Sequence, residues 1–245
     1  MCDLCSLENL TYRAQSSRRG LLRLFCAGAA GLALAGTASA KDKKPPKPQN
    51  VVSPDASLTL LTEGNKRYVE GITKRHDFKH EREALVGGQN PYAGILSCAD
   101  SRIAPEYAFD SGRGDLFVCR VAGNFANDDT IASMEYAVAI LGTPLIMVLG
   151  HDACGAVDAT IKSLKDNTTL PGHLPSLVTS LTPAVKAVSG SPGDLLDNAI
   201  RKNVIDNVAK LKLATPILSA AVEQRKLKVV GGIYRLRDGR VEMIP

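Results

Sequence analysis

Two residues in the stretch Leu149-Gly150-His151-Asp152-Ala153-Cys154-Gly155 have the chemistry of metal ligands. Histidine nitrogen and cysteine sulfur are borderline-soft donors that suit zinc. The apolar run Pro144–Val148 before them reads as a buried strand. The stretch after them, Ala156–Leu164, reads as a helix. His151 therefore falls where a strand ends and Cys154 where a helix begins. A thiolate at a helix start gains from the positive end of the dipole, which lowers its pKa. A second apolar run, Tyr92–Cys98, reads as another strand and ends in a thiol. If the two strands are parallel, both ends lie at one edge of the sheet, where open α/β sheets bind ligands. Two thiolates and one imidazole make the ligand count of a catalytic zinc site with an open fourth position.

Just beyond Cys98 come Asp100 and Arg102. A carboxylate so placed could ligate a metal or accept a proton from metal-activated water. The guanidinium can grip it with a bidentate fork that keeps it ionised and aimed. Other readings stand beside this one. The three ligands could meet by coincidence, or Cys98 and Cys154 could form a disulfide, but the Asp100/Arg102 pair favours a metal site. Cys119 has no ligand-type neighbour and reads as a buried core thiol. His80 and His173 read as surface or loop residues. Asp152 could serve only as a helix cap.

The elements that must hold these residues alternate along the chain. Helices are expected over Ser57–Val69, capped by Asp55 or Ser57, and over Phe78–Gly87. Ala104–Phe109 reads as a helical turn and Asp115–Val121 as a strand. Asp128–Leu141 reads as a helix capped by Asp128 or Asp129 and ended by Gly142. Further helices are expected over His173–Val188, Asp194–Lys212 and Thr215–Arg225, the last with Pro216 at its first helical position. Leu227–Tyr234 reads as a strand, and after an Asp-Gly turn Val241–Ile244 reads as a short antiparallel one. This order predicts a single α/β domain. It has a mostly parallel sheet of about four parallel strands plus an antiparallel edge strand, flanked by helices.

The 245 residues, 44% apolar and 22% charged, suffice for one globular core. The net charge of +5 forms no basic block, so a nucleic-acid partner is not expected. Residues 1–40 have the pattern of a cleavable secretory signal: Arg18-Arg19, an apolar segment Leu24–Gly36, and Ala38-Ser39-Ala40 as cleavage site. The arginine pair is twin-arginine-like, which predicts export to the periplasm. The apolar segment is short for a membrane span, so no stable span is expected after cleavage. An uncleaved anchor is the alternative. Cleavage would remove Cys2, Cys5 and Cys26 and leave Cys98, Cys119 and Cys154, an odd number that argues against a disulfide framework. Residues 41–54 are Lys- and Pro-rich and read as a linker, which leaves residues 55–245 as the functional domain.

Cys98-Ala99-Asp100-Ser101-Arg102 together with His151-Asp152-Ala153-Cys154-Gly155 resembles the β-class carbonic anhydrases, over roughly Ser57 to the C-terminus. The resemblance implies one zinc ion per subunit held by Cys98, His151 and Cys154, with Asp100–Arg102 as catalytic dyad. It implies reversible hydration of carbon dioxide to bicarbonate by zinc-bound hydroxide. Plant-like members carry a Gln nine residues before the first Cys ligand, and Gln89 stands there. Their Gly-x-x-Phe-Val-x-Arg strand is matched by Gly114–Arg120, which supplies Phe117, and their Glu-Tyr-Ala-Val helix by Glu135–Val138, which supplies Tyr136. The resemblance implies that these residues and Gly155 line the substrate pocket. Gln89 of one subunit would face Phe117 and Tyr136 of its partner, in a homodimer or larger even homo-oligomer joined through helices and sheet edges. The bicarbonate-inhibited branch has a Trp three residues before the first ligand; Ile95 is there, and an always-accessible site is expected. Ala99, Ala104 and the segment 165–193 depart from the family pattern. Alternative functions are a zinc hydrolase acting on carbon disulfide or carbonyl sulfide, and a non-catalytic zinc-binding module.

Overall fold

The strand ends that carry the ligands are neighbours. The computed structural model describes residues 52–244; the expected signal at 1–40 and nearly all of the expected linker lie outside the described residues. The sheet is formed by β1 (Ala93–Ser97), β2 (Leu116–Arg120), β3 (Leu145–His151), β4 (Lys228–Tyr234) and β5 (Val241–Ile244). Their order is β2-β1-β3-β4-β5. The first four run parallel and β5 pairs antiparallel to β4. β1 and β3 are buried along their whole length, as the continuous apolar runs require of strands covered on both faces. Ser97 is in register with Leu149, so Cys98 leaves β1 at the edge where His151 closes β3.

Helices cover both faces. On one side lie α1 (Pro54–Val69) and the short α3 (Pro105–Ala108); on the other lie α4 (Asp128–Ala139), α5 (Gly155–Lys165), α6 (Leu174–Val188), α7 (Leu195–Leu213) and α8 (Ile217–Glu223). The period-two pleat sorts the strands between two cores. Leu96, Ile146 and Val148 pack with Met134, Leu181 and Val204. Ile95, Met147 and Leu149 pack with Leu61 and Phe109. α2 (Phe78–Leu85) has no buried residue. Buried Asn65 on α1 donates to Ala108 O and Gly239 O and accepts from Val241 N, tying that helix to β5. Among the described residues, no helix is long and apolar enough to cross a membrane.

Element types match the sequence reading; several ends do not. α1 is capped by Ser53, whose hydroxyl accepts from Ala56 N, with Pro54 in the first turn, so the expected linker yields to helix at its last residue. α4 is capped by Asn127 in a reciprocal box with Thr130 and not by Asp128 or Asp129. Pro216 is the cap residue of α8, after a cis Thr215–Pro216 bond, and not its first helical residue. α2 and α4 each end two residues before the expected limits.

Candidate metal centre

At the shared sheet edge Cys98 Sγ, His151 and Cys154 Sγ place their donor atoms within 4.8 Å of one another. All three residues are buried, with exposures of 4%, 0% and 1%. Cys98 directly follows β1 and His151 is the last residue of β3. Ala153, with φ +50°, turns the chain so that Cys154 becomes the N-cap of α5. Among the described residues this is the only such group of His, Cys, Asp or Glu side chains.

The imidazole is set for a metal. Its Nδ1–H donates to Asp152 O at 2.8 Å, which makes Nε2 the acceptor nitrogen. Nε2 is buried and has no hydrogen-bond partner among the described residues. An unmet buried acceptor costs about 1–3 kcal/mol, and a cation between it and two sulfurs removes that cost. The donor set fits zinc.

The two thiols behave as a pair. The neighbouring thiol of Cys154 holds Cys98 below the ordinary thiol range, helped by the amide of Gly123 and opposed by burial. Cys154 is pushed up by the same contact and by burial. The amides of Val157 and Ala156 at the start of α5 do pull Cys154 down, as its position predicts, but Cys98 outweighs them. The helix start thus acts in the expected direction, and in the coupled pair the two sulfurs keep one proton between them. A dication in place of that proton stabilises both thiolates.

Asp100 and Arg102 form the expected fork. Arg102 Nε donates to Oδ1 at 2.9 Å and Nη2 to Oδ2 at 2.7 Å, and the Arg102 backbone N–H adds a third bond to Oδ1 at 2.9 Å. Nη2 also reaches Ala153 O at 3.2 Å, tying the pair to the turn between His151 and Cys154. Asp100 Oδ2 lies 3.9 Å from His151 Nε2. The Arg102 hydrogen bonds hold the carboxyl well below the usual carboxylate range, against a desolvation cost.

Asp152 is not the cap of α5. Its N–H donates to Tyr234 O and its Oδ1 accepts from Leu236 N at 2.9 Å, so it anchors the ligand turn to the end of β4. Phe117 on β2 and Tyr136 on α4 come together, ring centroids 6.2 Å apart, and Tyr136 is half exposed. Gln89 is exposed on the loop before β1. Gly155 opens α5, with open space where a side chain would stand. Cys119 packs against the core but is only partly buried. His80 pairs with Asp77, and His173 is exposed at the start of α6.

Two supports were not singled out from sequence. Arg120, at the end of β2, donates from Nε to Cys98 O at 3.0 Å and from Nη2 to Asp100 O and Ile103 O at 2.6 and 2.9 Å. One guanidinium thus grips three carbonyls of the loop that carries Cys98 and Asp100. Gly123 N–H donates to Cys98 Sγ at 3.3 Å. The Gly and Arg of these segments were visible as residue types, but their reach across the sheet edge was not.

The family model for carbonic anhydrase matches residues 93–241. The chain is 38% identical over 189 residues to carbonic anhydrase 2 of Mycobacterium tuberculosis (strain CDC 1551 / Oshkosh), covering 77% of this chain and 91% of that protein. It resembles the solved structure of the β-carbonic anhydrase CcaA, with a TM-score of 0.59 and 31% identity over 77% of this chain and 95% of that one. It also resembles the structures of two tetrameric β-carbonic anhydrases from Sordaria macrospora, with a TM-score of 0.59 and 26% identity over 78% of this chain and 94% of that one. With its parallel sheet and its Cys–His–Cys corner, the chain belongs to the β class of the carbonic anhydrase family. Enzymes of this class use zinc, and Cys98, His151 and Cys154 are the group that fits one ion per subunit.

Proposed function

We propose that this chain hydrates carbon dioxide reversibly to bicarbonate and a proton, with Asp100–Arg102 orienting the attacking oxygen. The observation that carries the dyad is the forked ion pair held 3.9 Å from the unpartnered Nε2 of His151. When bound, zinc supplies a Lewis acid that makes hydroxide available from water near neutral pH.

The chain's own residues supply direction. An ionised carboxylate is an acceptor only, with two lone-pair sites on each oxygen. Oδ1 takes two bonds from Arg102 and Oδ2 takes one. One acceptor site therefore remains on Oδ2, the oxygen nearer the metal ligands. An attacking oxygen beside it must turn its proton to Oδ2 and its lone pair to the substrate. Because Arg102 keeps the Asp100 pKa low, the carboxylate orients a proton without storing it. The proton released by hydration passes to solvent or buffer.

Phe117 and Tyr136 offer an apolar wall suited to a ligand with no net dipole. Gln89 from a second copy would add the amide donor, so the active unit is a homodimer or larger even homo-oligomer. The half-exposed Tyr136 on α4 and the exposed Ile140 that caps its C-terminus support a partner there. The signal pattern at 1–40 supports delivery to the periplasm.

Stopped-flow carbon dioxide hydration tests the dyad. Arg102→Lys replaces the fork with a point charge, and its rate should fall by about tenfold or more with zinc content unchanged. A wild-type rate in that variant refutes the dyad.

A further inference from the structure

The loop that follows β2 carries a donor to the metal ligand Cys98, and α7 carries the side chain that holds that donor in place. The loop begins with the turn Val121-Ala122-Gly123-Asn124, closed by Asn124 N–H to Val121 O at 2.9 Å. Gly123 occupies its third position with φ +88°, the backbone of a type II turn. The turn sits beside β1 because Val121 N–H donates to Ser97 O and Val121 O accepts from Ala99 N–H. Its Gly123 N–H points to Cys98 Sγ at 3.3 Å.

The peptide between Gly123 and Asn124 is fixed at both ends. Its N–H closes the turn, and its carbonyl accepts from Asn203 Nδ2 at 2.8 Å. Asn203 is buried, with 2% exposure. Its own amide oxygen is held by Asn207 Nδ2 at 2.9 Å, so the orientation of the carboxamide is set. Three residues further along the loop, Ala126 donates from N–H to Asn207 Oδ1 at 2.7 Å and accepts at its carbonyl from Lys210 Nζ at 2.6 Å.

We propose that Asn203 is a positioning residue of the metal centre: by fixing Gly123 it aims the N–H···S bond at Cys98 and sets how firmly the metal is retained. This rests on the reading that Cys98, His151 and Cys154 hold zinc. Loading removes the proton that the Cys98–Cys154 pair keeps when empty and leaves two buried thiolates, and buried charge needs a donor. The Gly123 amide therefore stabilises the loaded centre over the empty one. Asn203 touches neither metal nor substrate, so its effect appears first in metal retention and in the electronics of the sulfur.

The test compares full-length wild type, Asn203→Ala and Lys210→Met, each loaded with zinc or with cobalt(II). Lys210→Met is the control that loosens the same loop without touching the Gly123 carbonyl. Zinc release to an excess of chromophoric chelator should be about tenfold faster in Asn203→Ala. In Lys210→Met it should match wild type. The sulfur-to-cobalt charge-transfer band should move to longer wavelength in Asn203→Ala alone, because a thiolate without its donor gives up charge more easily. Asn203→Asp, which keeps the size and loses the donor, serves if the alanine variant fails to fold, and should release zinc faster too. Wild-type release and an unmoved band in a folded Asn203 variant would overturn the proposal while leaving the zinc site intact. A wild-type chain that retains no zinc would overturn the zinc reading and, with it, the proposal.

Discussion

Asp100→Asn is the change that separates orientation from metal binding. Asparagine keeps one oxygen at the position of Oδ1 but replaces the other with an NH2 group. Arg102 would still donate Nε–H and its backbone N–H to the remaining oxygen, where the bonds are now 2.9 Å each. Nη2, 2.7 Å from Oδ2, would then face a donor. The variant loses one charge-assisted bond, worth about 1.5–3 kcal/mol. It also loses the single acceptor site left for the attacking oxygen. With Asp100 largely shielded from solvent, at 17% side-chain exposure, a loss of about 1.4–2.7 kcal/mol in the transition state is expected, which is a 10- to 100-fold fall in kcat/KM. The assay is stopped-flow carbon dioxide hydration with zinc measured on the same sample. The account requires the rate to fall while zinc stays at one per chain. An unchanged rate refutes the orienting role, and a rate that falls only in proportion to zinc would make Asp100 a metal-retaining residue.

Gly123→Ala should destabilise the fold by about 2 kcal/mol, since φ +88° disfavours a side chain and the added Cβ would stand 2.8 Å from Cδ1 of fully buried Leu181. Thermal unfolding should show this as a fall of about 4–8 °C. Arg67→Met removes the guanidinium that donates at 2.6 Å to the buried Asp110 carboxylate. It should cost roughly 3 kcal/mol at neutral pH, the low end for breaking a buried pair, because Arg67 is partly exposed. Burial works against the Asp110 charge, but Arg67 and the Lys74 amide hold its pKa below the carboxylate value of 3.8. That contribution is present above the unfolded pKa and lost as the pH falls through the folded one. Urea unfolding of the wild type and Arg67→Met should therefore show the gap closing on acidification below the carboxylate range, and a gap constant with pH would contradict the pairing.

The centre was legible because its ligands sit at the ends of strands. The apolar runs into Cys98 and His151 marked those strands, and parallel pairing carried both ends to one edge. Asp100 and Arg102 are close enough in sequence that the chain alone brings them into reach. What escaped was held by distant partners. Asn203 on α7 meets Gly123 across the fold, and nothing in the local pattern of a helical Asn distinguishes it from a surface residue. Arg120 could be seen as the last residue of a strand, but not that it turns back over the Cys98–Ile103 loop. Cap residues were misplaced where a shorter-range signal competed. Pro54 looked like linker while starting a helix, and Asn127 closed its box with Thr130 instead of an acidic residue. The sharing of one proton between Cys98 and Cys154 depends on a separation between sulfurs that sequence does not state.

The most direct measurement is zinc content and hydration rate on one preparation, for the wild type and Cys98→Ala. The account predicts one zinc per wild-type chain, with hydration that disappears on chelation and returns on adding zinc. It predicts little zinc and little activity in Cys98→Ala. Hydration by Cys98→Ala at the wild-type rate, or none by a fully zinc-loaded wild type, would contradict it.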